Sequence, residues 1–390
     1  MLDPVLALLS ELVKIPSHPG VEHQEREVAL KLAEFLGQRG VATQLIEVRD
    51  GRPNLLAVVD SGRAGPHLVL CGHTDTVPLN KEAPGVGFSG EVVDGALQGR
   101  GAADMKGGLA AMAGALASLQ AGPGPAAGKV TFAAAIDEEM ESLGAEALIA
   151  SGLRADGAII GEPTGNRLAL GHKGLEWLEI AFTGRAAHGG TPEAGVNAIN
   201  AAAQFVALVE ARLVPDLSRK RHPLLGSPTI NCGTIVGGDQ PSTVAAHCVL
   251  RVDRRSIPGE TFASMCAELR ELLDEVERHR PGIGAKIRRM PGGMATLEHL
   301  SSVIEPAHPL ARAAREACES VTGTMQTALA FPAWTDAGLL ANFALIPCVI
   351  LGPGDLSVAH TPWESIPVAE VVEAAALYRE AALRFCGGVS

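Results

Sequence analysis

Aromatic residues are scarce in this 390-residue chain: nine Phe, three Trp and a single Tyr make up only 3% of it. Positive charge is also in deficit, with 32 Lys and Arg against 44 Asp and Glu and a net charge of −12. No basic patch interleaved with aromatics offsets this. Nucleic acid and anionic membrane are therefore excluded as main partners, because both are bound through a basic surface. The seven cysteines are an odd number, scattered from Cys71 to Cys386 without a C-x-x-C pair. That excludes a disulfide framework or a cysteine-rich zinc module and leaves reduced, mostly buried thiols. Met1-Leu2-Asp3-Pro4-Val5 is not a basic segment ahead of a long apolar core, so no signal peptide is expected. No uninterrupted apolar run is long enough to cross a bilayer. There is no internal repeat and no low-complexity linker. A soluble, cytoplasmic protein is the expectation.

What is present is an aliphatic chain, long enough to bury a large core and to form two domains. Leu68-Val69-Leu70-Cys71 is a short apolar run that stops at Gly72, the pattern of an interior strand of a parallel sheet. His73 and Asp75 follow at its carboxyl end, where sites lie in such sheets. Two apart in extended backbone, they project to one side. A carboxylate beside an imidazole is how a metal-binding histidine is commonly oriented, through its second ring N–H. The pattern recurs. The run 129–136 ends in Asp137-Glu138-Glu139, the run 157–161 ends in Glu162, and 346–351 leads to His360. Asp104 lies in a Gly-rich loop ahead of a helix over 105–120.

Strands alternate with helices from 54 to 160, which predicts a mostly parallel sheet covered by helices on both faces. Helices are expected over 4–13, 22–38 and 144–151 as well. After Glu162 the order becomes strand 175–183, helix 197–214, strands 229–236 and 244–253, helix 260–279 and strand 285–290. That is the order of a ferredoxin-like α+β unit. The expected fold class is thus α/β, with a catalytic domain over 1–171 and 291–390. The inserted ferredoxin-like domain, 172–290, would serve as lid and dimerisation module.

One His, one Asp, two Glu and a distant His form a ligand set for two divalent ions. Asp104 has two oxygens and can bridge. His73 and Glu162 then hold one ion, and Glu139 and His360 the other. So many carboxylates in one pocket repel each other unless cations are present. Zinc, cobalt and manganese all suit the set, and its histidines favour zinc. With Glu139 on metal, Glu138 is free to take a proton from the activated water and pass it to a leaving amine. The alternatives are a solvated loop, or two carboxylates acting as a glycosidase pair. The glycosidase reading explains neither His73-x-Asp75 nor His360. In the insert, His188 stands in a Gly-flanked loop, either as a surface histidine or as a donor to a developing oxyanion. Arg255 is either a surface ion pair or a fork for a substrate carboxylate, with Asn231 assisting.

Along nearly its whole length the chain resembles the M20 family of metallopeptidases and amidohydrolases. The resemblance is carried by His73-Thr74-Asp75-Thr76-Val77-Pro78, by Gly99-Arg100-Gly101 with Asp104-Met105-Lys106-Gly107-Gly108, and by Asp137-Glu138-Glu139. Gly161-Glu162-Pro163-Thr164, Ala187-His188-Gly189, the run from Asn231 to Gly238, and the run from Asp253 to Glu260 follow in the family's order. Ala359-His360-Thr361-Pro362-Trp363-Glu364 completes it. The resemblance implies a dinuclear centre of His73, Asp104 and Glu162 on one ion and Asp104, Glu139 and His360 on the other. It also implies Glu138 as general base, Asp75 orienting His73, and a homodimer formed through the insert. In the family, the counterpart of His188 can reach the partner subunit's site. Ser242 stands where Asn is common and Ala245 where Pro is usual, departures that touch substrate contacts rather than the metal core. The implied activity is hydrolysis of the amide bond of an N-acetyl or N-succinyl amino acid, within the deacetylase and desuccinylase branch. A dipeptidase or carboxypeptidase with the same centre is the rival, and a catalytically silent binding protein on this fold the more distant one.

Overall fold

The computed structural model describes residues 3–83, 85–293, 297–325 and 327–387. It divides into two compact units, Met1–His172 with Ser302–Ser390, and Lys173–Ser301. The predicted insert ended at 290, whereas the second unit continues to Ser301.

Among the described residues, the first unit's main sheet has nine strands. In spatial order they are Ala42–Arg49, Arg52–Asp60, Lys129–Ala135, His67–His73, Gly157–Ile160, Cys348–Ile350, Ala169–His172 and Ser302–Val303. Leu329–Phe331 pairs beside Ala169–His172. The four central strands, from Lys129–Ala135 to Cys348–Ile350, are mutually parallel, and antiparallel pairs flank them. The sheet is therefore parallel where the site lies and mixed toward its edges. Parallel central strands are buried on both faces, which explains their unbroken apolar runs. Val69, Cys71, Ala133, Ala135, Ala158 and Ile160 pack on one face with Leu148, Ala337 and Leu340 from two helices. Helices Gly107–Ala121 and Val368–Gly387 pack against each other and the His67–His73 strand. Leu68 and Leu70, at the alternate positions of that strand, are fully buried too.

In the first unit, two predicted helices start later than expected. The first was placed over 22–38 but runs Arg26–Gly37, because His23 and Gln24 have positive φ and Glu25 is drawn inward. Glu25, fully buried, accepts from Arg52 Nε at 2.8 Å and Nη2 at 2.6 Å. The second was expected from Met105 but begins at Gly107, since Asp104 and Met105 have non-helical φ/ψ inside a π-helical turn, Ala102–Lys106. Gly108 lets this helix close on the adjacent strand end, where a Cβ would lie 2.3 Å from the Gly161 carbonyl oxygen.

The second unit has a four-stranded antiparallel sheet, ordered Thr229–Gly237, His247–Ser256, Gly174–Thr183, Gly284–Arg289. Both central strands are non-consecutive in the chain, as a ferredoxin-like unit requires. Leu178, Ile180 and Phe182 face a core shared with Leu250, Val252, Phe205, Leu269 and Leu273. Thr261 begins the Phe262–His279 helix with a capping box to Ser264. Among the described residues, one helical stretch, Ala198–Arg219, is long and apolar enough to cross a membrane by length and composition. Here its Ala201, Ala202, Phe205 and Val209 lie in the core of this unit. The Phe182 and Phe205 rings stand 5.9 Å apart. Phe205→Ala is expected to cost about 3–5 kcal/mol through lost burial and the cavity left behind. A lowered urea midpoint would register it, and an unchanged midpoint would contradict this packing.

Candidate metal centre

The parallel strands deliver their polar ends to one edge of the first unit's sheet. His73 closes the His67–His73 strand and is only 1% exposed. Its Nδ1 lies 3.0 Å from the Asp75 backbone oxygen and 3.5 Å from Asp75 Oδ1. The carbonyl is therefore the nearer partner of the ring, with the carboxylate behind it. Its Nε2 points the other way, 3.0 Å from Asp104 Oδ1 and 3.8 Å from Glu162 Oε1. Asp104 Oδ2 is 3.3 Å from His360 Nε2, which is 2.9 Å from Glu139 Oε1. Asp104 thus divides its two oxygens between two imidazoles. Donor atoms of His73, Asp104 and Glu139 all lie within 4.8 Å of one another.

Asp75 has a second task that its spacing from His73 did not disclose. Its Oδ1 accepts the Glu138 backbone N–H at 3.1 Å and its Oδ2 that of Glu139 at 3.0 Å. One carboxylate therefore backs the histidine and pins the loop carrying both glutamates. The same loop is held from its other side. Asp137, at φ +69°, accepts from Arg52 Nη2 at 2.6 Å. Arg52 is shared with Glu25, so β-strand, helix start and loop meet on one buried guanidinium.

The electrostatics are those of a donor set short of positive charge. Burial pushes Glu138 and Glu162 well above the ordinary carboxylate range; His73 opposes this, and neighbouring carboxylates add to it. Glu139 is raised by burial and by Asp104. Asp336, 2% exposed, is pushed up to about 7 by burial, and its two oxygens have no hydrogen-bond partner among the described residues. Burial works against protonation of His73, yet its hydrogen bonds to Asp104 and Asp75 hold its pKa well above the ordinary value. His360 is pushed up to about 10 by its hydrogen bonds to Asp104 and Glu139. Carboxyls driven toward protonation, facing imidazoles that keep theirs, are balanced by divalent cations, and the mixed N and O donors suit such ions.

Of the residues predicted from the sequence, His73, Asp75, Asp104, Glu139, Glu162 and His360 come together here, with Glu138 on the same loop as Glu139. His188, Asn231 and Arg255 belong to the second unit. His188 is exposed, and its Nδ1 accepts the Gly190 N–H at 3.0 Å. Asn231 is exposed on the Thr229–Gly237 strand. Arg255 gives its fork to Asp253, Nε at 2.7 Å and Nη2 at 3.0 Å from the two oxygens. Sequence reasoning assigned no role to Arg52, Glu25, Asp336, Arg100 or Glu364. Their signal was weak: Arg100 and Glu364 sit in the motifs that carry the family resemblance, while Asp336 lies outside them, and Glu25 and Arg52 stand in stretches rich in other charges.

The sequence profile of peptidase family M20/M25/M40 matches residues 69–384. Acetylornithine deacetylase of Proteus mirabilis is 31% identical over 402 residues, covering 99% of this chain and 97% of that protein. Among solved structures, the M20 family metallo-carboxypeptidase Sso-CP2 of Sulfolobus solfataricus superposes with a TM-score of 0.81. Its identity is 20%, over 99% of this chain and 100% of that one. The Bacillus subtilis YXEP protein, a dinuclear metal-binding peptidase of family M20, gives 0.72 at 15% identity, over 99% of each chain.

Proposed function

This chain belongs to peptidase family M20/M25/M40 and is a metallohydrolase acting on amide bonds; from that premise we propose that it removes an acyl group, acetyl or succinyl, from an N-acylated amino acid. One observation carries the reading: the two oxygens of Asp104 divided between His73 and His360, with Glu162 and Glu139 on either side. His73, Glu162 and Asp104 would hold one divalent ion, and Asp104, Glu139 and His360 the other. Zinc suits the set best, with cobalt and manganese as alternatives. Bound there, a pair of divalent ions supplies Lewis-acid polarisation of the acyl carbonyl and a lowered pKa for a water molecule.

The chain's own groups do the rest. Glu138 takes the proton of the attacking water and returns it to the departing amine nitrogen. Burial raises its pKa above the ordinary carboxylate range, the direction that makes a carboxylate a better proton acceptor from water. Asp75 fixes the His73 ring and the N–H groups of Glu138 and Glu139, so that base and ligands share one frame. His188 donates to the developing oxyanion, and Arg255 with Asn231 meets the substrate carboxylate once Asp253 releases the fork. The protein would work as a cytoplasmic homodimer joined through the second unit.

The test is a panel of acetylated amino acids, succinylated amino acids and dipeptides, each with and without chelator. Higher kcat/KM on an acylated amino acid than on any dipeptide, lost on chelation, is the expected outcome. Preference for dipeptides would assign the chain to the peptidases of the family instead.

A further inference from the structure

Two of the donors around Asp104 are tied down by an ion pair whose members lie far apart in the chain. Glu364 is 1% exposed, and its Oε1 accepts the backbone N–H groups of Ala103 and Asp104, each at 3.1 Å. Its Oε2 accepts from Arg100 Nη1 at 2.6 Å. Arg100, 3% exposed, turns its Nη2 to Asn80 Oδ1 at 2.9 Å and to the His360 backbone oxygen at 3.3 Å. The Glu364 carbonyl accepts the Gly99 N–H at 3.0 Å, closing the loop beneath Asp104. One pair therefore grips the main chain of Asp104 on one arm and that of His360 on the other.

The two histidines differ in what else holds them. His73 ends a core strand bonded on both sides. His360 lies outside any strand, in the left-handed region at φ +60°, with a side chain 48% exposed. A non-glycine residue keeps such a backbone only where its surroundings over-determine it. Beyond the donors themselves, the Arg100 bond to its carbonyl is such a constraint.

Resting on the dinuclear reading above, we infer that Arg100 and Glu364 are positioning residues acting selectively on the ion held by Glu139 and His360. They set where His360 stands relative to Asp104, while the His73 and Glu162 side draws its placement from the sheet. A plain structural brace would behave differently, weakening the fold without distinguishing the two ions.

The experiment is Zn2+ titration of the metal-free protein against a competing chromophoric chelator, for the parent, Glu364→Gln, Arg100→Lys and His360→Ala. Glutamine keeps the volume and an oxygen for the two N–H groups but presents an NH2 to Arg100. Lysine keeps the charge but loses the fork. In Glu364→Gln, one of two binding steps is expected to weaken by about 10–100-fold, the range for residues that orient a metal ligand. It should be the step that His360→Ala removes, with the other unchanged. Arg100→Lys should show the same selectivity, and it carries the test should Glu364→Gln fail to fold. Both steps unchanged would overturn the inference. So would equal weakening of both steps with a fall in the melting temperature of the metal-free protein. A parent that binds fewer than two ions would instead overturn the dinuclear reading, and is read in a separate sample.

Discussion

Glu138→Gln is expected to lower kcat by roughly 10²–10⁴-fold, the range for loss of a positioned general base, with two divalent ions still bound. Glutamine has nearly the volume of glutamate but cannot carry the proton from water to the amine. The loop should survive the change, because Asp75 holds it through the backbone N–H groups of Glu138 and Glu139. The Arg52 bond to Asp137 is likewise untouched. KM should therefore change little, placing the loss in the transition state rather than in substrate binding. Glu139→Gln is the informative contrast: its side chain bonds His360, so its loss should appear first as weakened metal binding. Steady-state kinetics with metal analysis of each variant separates the two. Activity of Glu138→Gln equal to the parent's would remove the base assignment.

The second large effect is removal of the ions. Chelation is expected to abolish turnover, and the difference in melting temperature between loaded and metal-free protein should widen as pH rises. The sign follows from the direction of the shifts. Glu138, Glu139 and Glu162 have folded pKa values above their ordinary ones, and Asp336 reaches about 7. His73 and His360 are raised too. A group with a raised folded pKa contributes stability that is complete below its unfolded pKa and is lost as pH climbs through the folded value. Asp104 and Asp75 shift the other way, since burial is outweighed by the hydrogen bonds of Asp104 to two imidazoles and of Asp75 to His73. Between about pH 5 and pH 8 the metal-free fold should therefore weaken. Cations take the place of those protons, so binding strengthens as the groups ionise. At a free concentration a hundredfold above Kd, a ligand specific to the folded state adds about 2.7 kcal/mol per site. Thermal unfolding near pH 6 and near pH 8, with and without Zn2+, measures the gap. A gap that is constant or narrows with pH would contradict the charge argument.

Much of the frame was legible because the central strands are apolar on both faces. Runs such as Leu68 to Cys71 and Phe132 to Ile136 carry no polar interruption until the residue at the sheet edge. His73 and Glu162 stand as the first titratable residues after such a run, and Glu139 follows two other acidic residues after Ile136. The Ala42–Arg49 strand was missed for the opposite reason: it is an edge strand, exposed at most positions, and its Thr, Gln, Glu and Arg resemble a loop. Ala169–His172 is only four residues long and leaves too little pattern. The sheet was expected to be mostly parallel, and its antiparallel pairs lie outside the four central strands, at Arg52–Asp60 on one side and Ala169–His172 on the other.

What the sequence could not reveal was the set of groups that hold the ligands. Arg100 and Glu364 are 264 residues apart, and Arg52 and Glu25 are 27 apart, with no periodicity linking either pair. Only folding brings a guanidinium to a buried carboxylate. The same holds for Asp75. Its proximity to His73 was readable from spacing, but its grip on the Glu138 and Glu139 amides depends on two strands lying side by side. The Asp104 loop shows the same limit. The helix expected from Met105 begins at Gly107, because the backbone at Asp104 and Met105 departs from helical geometry where the Asp104 N–H is taken by Glu364.

Anomalous diffraction at the zinc edge, from crystals grown with Zn2+, tests the central claim most directly. Two peaks are expected, one adjoining His73 and Glu162 and the other adjoining Glu139 and His360, with Asp104 touching both. A single peak, or peaks remote from Asp104, would contradict a paired centre built on that residue.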